Sequence, residues 1–412
     1  MSSSSPLSLS GKSGQGLRVL HALTSLDERY GGPLRLVLDL SARAEALGLE
    51  SEVLGLGDPE VHDNPLDPSK IHSVPVGKFG GSYGYSPELR KWLAENVDRF
   101  GGVVVHGAWT YHGWAVAMEC GKAGIPYAYF PHGMLEKWAV NGQGPLNTLK
   151  KRFYWQLFER RICSGSKCSF FTTEREMELS PAVVGESRKT MLMRPYGMDA
   201  AFAPTAAPSN PALFQLDGMN VALFLGRLHP KKNVAMLIDS WRLAKMPADW
   251  RLVIAGSGDA AYERELRALV QKHGLGDQIQ FANFVHGNDK TYLLQRAAWF
   301  LLPSSQENFG VAVLEAVQHG CAVAISEGVY LAESFRPESE VLPVRAEAWT
   351  QFFSSRMRDL ASRQRVRDLD RDHLMKTFGM TQITESWVRN LADVFSSVSD
   401  PIQVQPFSAA PR

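Results

Sequence analysis

The sequence predicts an α/β protein of two domains, each built on a parallel β-sheet. The chain has 412 residues, more than a single hydrophobic core usually supports, so two domains are expected. Short apolar runs alternate with segments of helical periodicity in both halves, a pattern typical of parallel strands joined by helices. Between about Pro195 and Gly218 the composition shifts to Ala, Pro, Ser and Asn, which indicates a linker.

Composition and charge exclude several classes of protein. The chain is 44% hydrophobic and 21% charged, as in ordinary soluble globular proteins. Its formal net charge is +1, from 44 Lys and Arg against 43 Asp and Glu. A general nucleic-acid binder would show a basic excess across a domain, so we expect no nucleic-acid partner.

The cysteines and the N-terminus bear on the expected compartment. The four cysteines match neither a disulfide framework nor a zinc-site spacing: Cys120, Cys163, Cys168 and Cys321. The Ser- and Gly-rich segment from Met1 to Gly16 lacks a signal-peptide pattern. No run of roughly 18 apolar residues predicts a transmembrane helix. We therefore expect a cytoplasmic protein, whose contact with the plasma membrane, if any, is peripheral at the inner face.

The first α/β series begins after a tail that is predicted to be disordered, residues 1–16. A loop with the sequence Gly31-Gly32-Pro33 precedes its first helix. The predicted strands are 17–23, 51–56, 102–106, 126–130 and 168–172. The predicted helices are 34–47, 114–123 and 147–163. Together they form an N-terminal domain over 17–200.

The second series follows a predicted linker at 201–217 and forms a C-terminal domain over 218–375. Its predicted strands are 221–225, 251–255, 279–281, 299–302 and 322–325. An amphipathic helix over 381–398, which contains Trp387, belongs to a segment 376–398 that is expected to pack back on the N-terminal domain. A flexible tail, 399–412, is predicted to follow.

The segment from Pro303 to Ala316 carries two carboxylates eight residues apart. Glu307 is predicted in the loop after a parallel strand, where open α/β sheets bind ligands. Residues 308–310 are predicted to start a helix, whose free N–H groups and positive dipole end would face that loop. Glu315 would lie roughly 12 Å further along the axis. One carboxylate could then meet a sugar hydroxyl while the other receives ribose hydroxyls; the alternative is an acidic first turn and a solvated Glu.

A cationic segment, Gly226 to Asn233, directly follows the predicted strand 221–225. Arg227 can grip a phosphate with two hydrogen bonds, and Lys232 can add a point charge. Both would hold a diphosphate and neutralise it as it departs. The alternative is a solvated basic turn, which is our interpretation for Lys231 alone.

These two segments together resemble glycosyltransferase family 4, the retaining transferases of GT-B fold. The resemblance extends from about Leu17 to the C-terminal helix and rests on Glu-x7-Glu with Phe309-Gly310, supported by Gly226-Arg227 and Lys232. It implies two Rossmann-like domains with parallel sheets that face each other across a cleft. It also implies a hexosyltransferase that moves a sugar from a nucleotide diphosphate to a hydroxyl of a glycan or lipid-linked acceptor, as in cell-surface polysaccharide synthesis.

The resemblance also implies roles for individual residues. The implied catalytic residues are His132, Glu307, Arg227 and Lys232. The implied donor-binding residues are Gly32, Gly226, Arg227, Lys232, Gly256, Val285, Asn308, Phe309, Gly310 and Glu315. His106, Trp109 and Tyr111 follow another strand end and are candidates for the acceptor side. No acidic metal-binding cluster is evident, so we expect neither a metal nor a cofactor beyond the donor substrate.

Retention in this family is best pictured as front-face transfer. The acceptor hydroxyl attacks from the side that the diphosphate leaves, and a diphosphate oxygen can take its proton, so no carboxylate need act as nucleophile. Two alternatives stay open: a nucleotide-sugar epimerase of GT-B fold, and an inactive nucleotide-sugar-binding protein. The donor base, the sugar and the acceptor also stay open.

The segment from Lys150 to Arg161 combines basic and aromatic residues. Its charges and aromatics would suit an anionic membrane surface, which fits a lipid-linked acceptor. The interpretation that we favour is instead a helix whose aromatic side chains face the N-terminal core.

Overall fold

The computed structural model describes most of the chain. The described residues are 16–27, 32–59, 64–77, 81–136, 144–199, 207–210, 213 and 216–396. The predicted tails, apart from Gly16, and much of the predicted linker lie outside these ranges. The chain forms two compact units, the first made of Met1–Pro195 with Ile383–Arg412 and the second of Tyr196–Gln382.

The first unit is built on a seven-stranded sheet in which every pair of neighbouring strands is parallel. Its strands are β1 Leu17–Leu23, β2 Leu49–Leu56, β3 Ile71–Val74, β4 Gly102–His106, β5 Tyr127–Phe130, β6 Cys168–Phe171 and β7 Thr190–Leu192. They lie in the order β3-β2-β1-β4-β5-β6-β7. The order reverses between β1 and β4, and this is the point at which open parallel sheets bind ligands.

Helices connect these strands, as parallel pairing requires. They are α1 Gly32–Ala44, α2 Pro87–Asn96, α3 Tyr111–Ala123, α4 Pro145–Tyr154, α5 Arg160–Gly165, α6 Glu174–Leu179 and α7 Pro181–Glu186. The central strands are apolar because helices cover both faces of a parallel sheet; Val103, Val104 and Val105 of β4 are fully buried.

The second unit repeats this architecture with a six-stranded parallel sheet. Its strands are β8 Asn220–Leu225, β9 Trp250–Ala255, β10 Ile279–Asn283, β11 Trp299–Leu302, β12 Ala322–Ser326 and β13 Glu340–Leu342. The helices are α8 Val234–Leu243, α9 Ala260–Lys272, α10 Gly287–Arg296, α11 Val311–Gln318, α12 Ala346–Ser354, α13 Leu360–Phe378 and α14 Met380–Phe395. The strand order is β10-β9-β8-β11-β12-β13, which reverses between β8 and β11.

Helix α14 begins in the second unit and continues in the first. Its Trp387 is buried and stacks on His21 of β1 with ring centroids 5.5 Å apart. The side chain of Asn390 donates to the carbonyl of Leu192 at 3.1 Å. Residues 376–378, which the sequence assigned to the same terminal segment, belong to α13, which ends at Phe378 and has Gly379 as its C-cap.

The ten strands predicted from sequence all exist, whereas three others were missed. The missed strands β3, β7 and β13 are all edge strands. An edge strand has only one neighbour and is partly exposed, so it lacks the continuous apolar run that identifies a central strand.

The predicted helix over 147–163 is longer and interrupted. Helices α4 and α5 are joined by a π-helical turn at Trp155–Glu159, so the helical run extends from Pro145 to Gly165. The predicted helix over 34–47 ends at Ala44 and closes with a 3₁₀ turn, Glu45–Leu47.

Candidate active site

Two loops follow β8 and β11, the strands between which the second sheet reverses its order. Hydrogen bonds join these loops directly. The backbone N–H of Ser305 donates to the carbonyl of Lys231 at 2.8 Å. The side-chain amide of Asn233 donates to the carbonyl of Pro303 at 2.8 Å and to the hydroxyl of Ser305 at 2.7 Å. The two segments that were selected separately from the sequence are therefore neighbouring loops joined by hydrogen bonds.

Lys232 and Glu307 form an ion pair at this junction. Lys232 is buried, and its Nζ contacts Oε2 of Glu307. Burial, and after it the charges of Lys231 and Arg227, lowers the pKa of Lys232 to about 7. The Glu307 carboxylate has the opposite effect, because its negative charge stabilises the ammonium form of Lys232. A further negative charge, such as a phosphate, would stabilise this ammonium.

Arg227 differs from Lys232 in being exposed. Within the described part of the chain its guanidinium has neither a hydrogen bond nor an ion pair. It lies close enough for its charge to lower the pKa of both His229 and Lys232, after the larger effect of burial. Arg227 is thus available to bind an anion in solution.

The backbone of Glu307 is held by a third loop, which follows β12. Its N–H donates to the carbonyl of Gly328 at 2.8 Å, and its carbonyl accepts from the N–H of Tyr330 at 3.0 Å. A side chain on Gly328 would overlap the carbonyl of Ser304. The packing of backbone on backbone, which only glycine allows here, fixes Glu307 in place.

Helix α11 begins at Val311, so the prediction that it starts at 308–310 was wrong. These three residues precede the helix. Gly310 is its N-cap and has the left-handed φ of 73°, which glycine adopts without strain. Phe309 turns inward and is buried against Phe378, with ring centroids 5.8 Å apart. Asn308 is half-buried in the loop before it. The N–H of Val313 donates to the carbonyl of Gly310 at 2.8 Å, so the N–H groups that the first turn of α11 can offer are those of Val311 and Ala312.

Glu315 lies on the second turn of α11 and is not a solvated side chain. Its Oε1 accepts from Nζ of Lys290 on α10 at 2.6 Å. Its side chain is 18% exposed. The sequence analysis did not select Lys290, because nothing in the pattern of α10 distinguishes this lysine from a surface lysine.

A second pair of loops follows β9 and β10. Gly256 donates its N–H to the carbonyl of Asn283 at 2.6 Å and is so close to Gly226 that a side chain on Gly256 would overlap the Gly226 carbonyl. Leu228 donates to the carbonyl of Ser257 at 2.9 Å. Val285, in the predicted base-side segment, is mostly buried. The glycines Gly226 and Gly256 therefore bring these loops into contact.

His132 lies two residues after β5 in the first unit and has a left-handed φ of 52°. A glutamate holds its loop, since the N–H of Gly133 donates to Oε1 of Glu176 at 2.5 Å. The ring Nε2 of His132 contacts Nδ1 of His106 at 2.9 Å, and Nε2 of His106 contacts Nδ1 of His21 at 3.0 Å. Neither His21 nor Glu176 was selected from sequence, because only the sheet brings them to His132.

The acceptor-side candidates occupy different positions. His106 is buried, with both ring nitrogens in contact with histidines, so it lies behind His132. Trp109 is half-buried with a φ of 68°, and its indole N–H donates to the carbonyl of Met134 at 2.7 Å. Tyr111 is mostly buried but lines a surface cavity of about 350 Å³.

Gly32 is the first residue of α1 in the first unit, and a side chain there would meet nothing within 4 Å. Its neighbour Gly31 lies outside the described residues. Among the described residues, the helices lack an apolar stretch of the length that a transmembrane segment needs.

The chain matches two sequence models of glycosyltransferases. Residues 31–197 match a glycosyl transferase 4-like domain, and residues 211–355 match the glycosyl transferases group 1 model. The first segment covers β2 to β7 of the first sheet, and the second segment covers all six strands of the second sheet.

Several characterised proteins are similar to this chain. A GDP-mannose:cellobiosyl-diphosphopolyprenol alpha-mannosyltransferase of Xanthomonas oryzae is 24% identical over 317 residues, 76% of this chain and 79% of the relative. The O-antigen chain mannosyltransferase B of Escherichia coli is 31% identical over 29% of this chain and 32% of its own length. Mannosylfructose-phosphate synthase of Agrobacterium fabrum is 28% identical over 51% of each protein.

Solved structures share the fold at low sequence identity. Anabaena HepE in complex with UDP and glucose has a TM-score of 0.72 at 16% identity, over 92% of this chain and 100% of that structure. WaaG, a glycosyltransferase involved in lipopolysaccharide biosynthesis, has a TM-score of 0.65 at 19% identity, over 92% of this chain and 99% of that one. The two parallel-sheet, Rossmann-like units and both sequence models lead to one conclusion: the chain belongs to the group 1 glycosyltransferases of GT-B fold and is a glycosyltransferase.

Proposed function

We propose that this glycosyltransferase moves mannose from GDP-mannose to a hydroxyl of a lipid-linked or glycan acceptor, with retention of anomeric configuration. The observation that carries the proposal is the Lys232–Glu307 pair beside the exposed Arg227, at the carboxyl ends of β8 and β11. The similarity to three proteins named for mannosyl transfer favours mannose over other hexoses, and one of them is named for GDP-mannose.

The cations of this site suit a departing diphosphate. Arg227 can donate two hydrogen bonds to phosphate oxygens, and Lys232 adds a charge that is already buried. A buried cation stabilises developing negative charge more strongly than a solvated one, because less water screens it. The bound diphosphate would also raise the pKa of Lys232 and keep it protonated during departure.

Glu307 and Glu315 are the proposed hydrogen-bond acceptors for the donor. Lys232 contacts Oε2 of Glu307, and within the described residues no hydrogen bond reaches Oε1, which is left for a sugar hydroxyl. Glu315 is paired with Lys290 and would accept from ribose hydroxyls. Gly310 and the first turn of α11 complete this donor side with backbone N–H groups.

In this proposal, the anomeric configuration is retained because the reaction takes place on one face of the sugar. The bond between the anomeric carbon and the diphosphate breaks, the acceptor hydroxyl attacks from the same side, and a diphosphate oxygen takes the hydroxyl proton. Charge is balanced by the protein's cations, so we expect turnover to persist in the presence of a chelator. The anomeric configuration of the product, measured by NMR, tests retention directly.

A lipid-linked acceptor is supported by an apolar stripe on α4 and the π-helical turn after it. Leu146, Leu149, Phe153 and Leu157 are 76%, 66%, 67% and 36% exposed. Their spacing places them on one helical face. The exposed cations Lys150 and Arg152 belong to the same helix. Such an apolar face with cations is suited to the interface of an anionic membrane.

The opposite face of this helix packs inward, as the favoured sequence interpretation expected for its aromatics. Tyr154 donates its hydroxyl to the carbonyl of Thr110 at 3.3 Å, and Trp155 packs against the core of the first unit. Phe158 contacts Trp114. Phe153 is the exception, because it is exposed. The segment thus offers one face to the core and leaves the other for the proposed membrane contact.

The donor can be identified by thermal stabilisation with a panel of UDP-, GDP-, ADP- and dTDP-sugars. We expect a selective rise in melting temperature with GDP-mannose, because a ligand that binds only the folded state stabilises it. Arg227→Ala should abolish the shift, and Arg242→Ala, an exposed arginine at the far end of α8, should preserve it. A selective shift with a different nucleotide would replace GDP-mannose, and no shift with any donor would contradict the donor site.

Flotation with vesicles tests the membrane contact. We expect wild-type protein to float with vesicles that contain phosphatidylglycerol and not with pure phosphatidylcholine. The double variant Leu149→Glu/Phe153→Glu should lose this binding. The control variant Leu360→Glu changes an exposed leucine of the second unit and should float like wild type. Failure of the wild-type protein to float with anionic vesicles would remove the membrane contact from the proposal.

A further inference from the structure

Three histidines form a continuous hydrogen-bonded row at the carboxyl ends of neighbouring strands. His21 lies in β1, His106 ends β4, and His132 follows β5. His21 and His106 are buried, whereas His132 is half-buried. The contacts run from Nδ1 of His21 to Nε2 of His106 at 3.0 Å, and from Nδ1 of His106 to Nε2 of His132 at 2.9 Å. Every ring contact in the row thus joins one Nδ1 to one Nε2.

Such a row has only two proton arrangements when its rings are neutral. Burial lowers the pKa of His21 and of His132 to about 3 and that of His106 well below its usual range, so all three are neutral at pH 7. A neutral imidazole has one N–H donor and one lone-pair acceptor. The protons are therefore either all on Nδ1 or all on Nε2.

The far end of the row decides between these arrangements. Nε2 of His21 is buried and has no partner among the described residues, and the same is true of the indole N–H of Trp387, which stacks on His21. A proton on Nε2 would leave two buried donors in contacting rings with no acceptor. A lone pair on Nε2 leaves one donor and one acceptor, a combination that costs less because unpaired buried N–H groups are the rarer defect in proteins.

We propose that His21 and His106 are positioning residues that hold His132 in the tautomer with its proton on Nδ1. Within the described part of the chain, no hydrogen bond reaches Nδ1 of His132, so this N–H is the group that the row presents to a ligand. The backbone is held as well, since Glu176 accepts from the N–H of Gly133. His132 then binds an oxygen of the sugar substrate as a donor and does not remove a proton as a base; this consequence rests on the proposed function.

The tautomer can be measured directly on the full-length protein with ¹⁵N-labelled histidine, by long-range ¹H–¹⁵N correlation spectra. We expect the His132 signal, assigned by its loss in His132→Gln, to show a protonated Nδ1 and an unprotonated Nε2. In His106→Leu the row is broken, and the signal should move towards the Nε2–H tautomer. In His106→Asn the side-chain amide can replace Nδ1 as a donor, so the wild-type tautomer should return.

The same variants are compared in transfer assays with the donor that the thermal panel selects. His106→Leu should lower kcat/KM about tenfold, in line with the loss of one well-placed hydrogen bond of about 1.4 kcal/mol. His106→Asn should recover most of this loss. Melting temperatures and circular dichroism establish that each variant is folded before its rate is compared.

The wild-type spectrum alone can overturn the inference. A His132 signal with the proton on Nε2 contradicts it, and so does an unchanged tautomer in folded His106→Leu. These outcomes do not depend on the donor. Absence of transfer in the wild-type protein, with the Nδ1–H tautomer observed, would instead contradict the proposed function and leave the row intact.

Discussion

At the carboxyl edge of the second sheet, Lys232 is a buried cation with further cations at Arg227 and Lys231. An ammonium group that is buried without a partner is unfavourable. Removing one partner of a buried ion pair costs more stability than the intact pair contributes, because the remaining charge stays buried and unpaired. The sequence places these three cations together, and the fold brings the carboxylate of Glu307 to Lys232. Such an excess of positive charge favours the binding of an anion, as the proposed diphosphate site requires.

Glu307→Gln is therefore expected to lower the rate of transfer by about 100-fold or more, the range seen when one preorganised electrostatic group is lost from an active site. The substitution keeps the shape of the side chain and leaves it half-exposed, so the protein should remain folded. Initial rates of nucleotide release measure the effect. Glu327→Gln, at an exposed position after β12, is the matched control. Near-normal rates in folded Glu307→Gln would exclude the proposed role.

The histidine row makes the first unit sensitive to acid. The pKa of His21 is about 3 in the folded state against an ordinary value of 6.5, so the unfolded chain binds more protons between these pH values. Stability is then fully present above about pH 6.5 and is lost as the pH falls towards 3. Each unit of pKa shift corresponds to about 1.4 kcal/mol.

We accordingly expect the free energy of unfolding to fall between pH 7 and pH 5, and to fall less steeply in His21→Gln. Urea unfolding at a series of pH values gives both slopes. The control is His273→Gln in the second unit, where the histidine bonds Asp239. A slope in His21→Gln equal to that of the wild-type protein would show that this histidine is not buried in its neutral form.

At the scale of elements, glycines bring the loop after β9 against the loop after β8, and the loop after β12 against the loop after β11. Gly256 has a φ of 135°, and its Cα faces the carbonyl of Gly226; Gly328 packs in the same way on Ser304. No other residue type permits such an approach of backbone to backbone. The geometry of these candidate donor-binding loops therefore depends on the glycines as much as on charged residues.

Gly256→Ala should destabilise the second unit by about 2 kcal/mol or more, because the new methyl group overlaps a carbonyl and the φ is unfavourable for alanine. Urea unfolding measures the loss. Gly276→Ala is the matched control: a side chain there meets nothing within 4 Å, and the substitution should be neutral or slightly stabilising. Equal stabilities of the two variants would contradict the close approach of these loops.

The prediction from sequence succeeded for strands that are buried on both faces of a sheet. The central strands read as continuous apolar runs, and their bounds differ by at most two residues at either end. The edge strands β3, β7 and β13 were missed because partial exposure removes that signal. The π-helical turn at Trp155–Glu159 was missed because an inserted residue leaves helical periodicity nearly unchanged. It places Glu159 in the core, where burial raises its pKa to about 7.

At the scale of the whole molecule, most of α14 belongs to the first unit, although it follows the second unit along the chain. Its Trp387, Val388 and Leu391 are buried there, and Phe395 packs so closely on Gly102 that a side chain at that glycine would overlap its ring. The first unit thus contains two segments of the chain that are far apart in sequence. Its stability depends on a helix made after the second unit.

Trp387→Ala is expected to destabilise the first unit by about 3–5 kcal/mol, the cost of removing a large buried side chain and leaving a cavity. Hydrogen exchange followed by mass spectrometry can assign the effect to a unit. Amides of β1 to β7 should exchange faster, while those of β8 to β13 keep their protection. The exposed Leu360→Ala is the control. Equal acceleration in both sheets would mean that the two units unfold together.

The two α/β series, the family and the two candidate donor-binding segments could be predicted from the sequence. These features are local: apolar runs mark buried strands, and Gly226 to Lys232 and Glu307 to Glu315 are short patterns next to strand ends. The partners of the site residues became known only from the fold: Lys232 pairs with Glu307, Glu315 pairs with Lys290, and His132 lies in a row with His106 and His21. Parallel strands bring together residues that are 25 to 85 positions apart. No local pattern encodes such a contact, because strand order sets it.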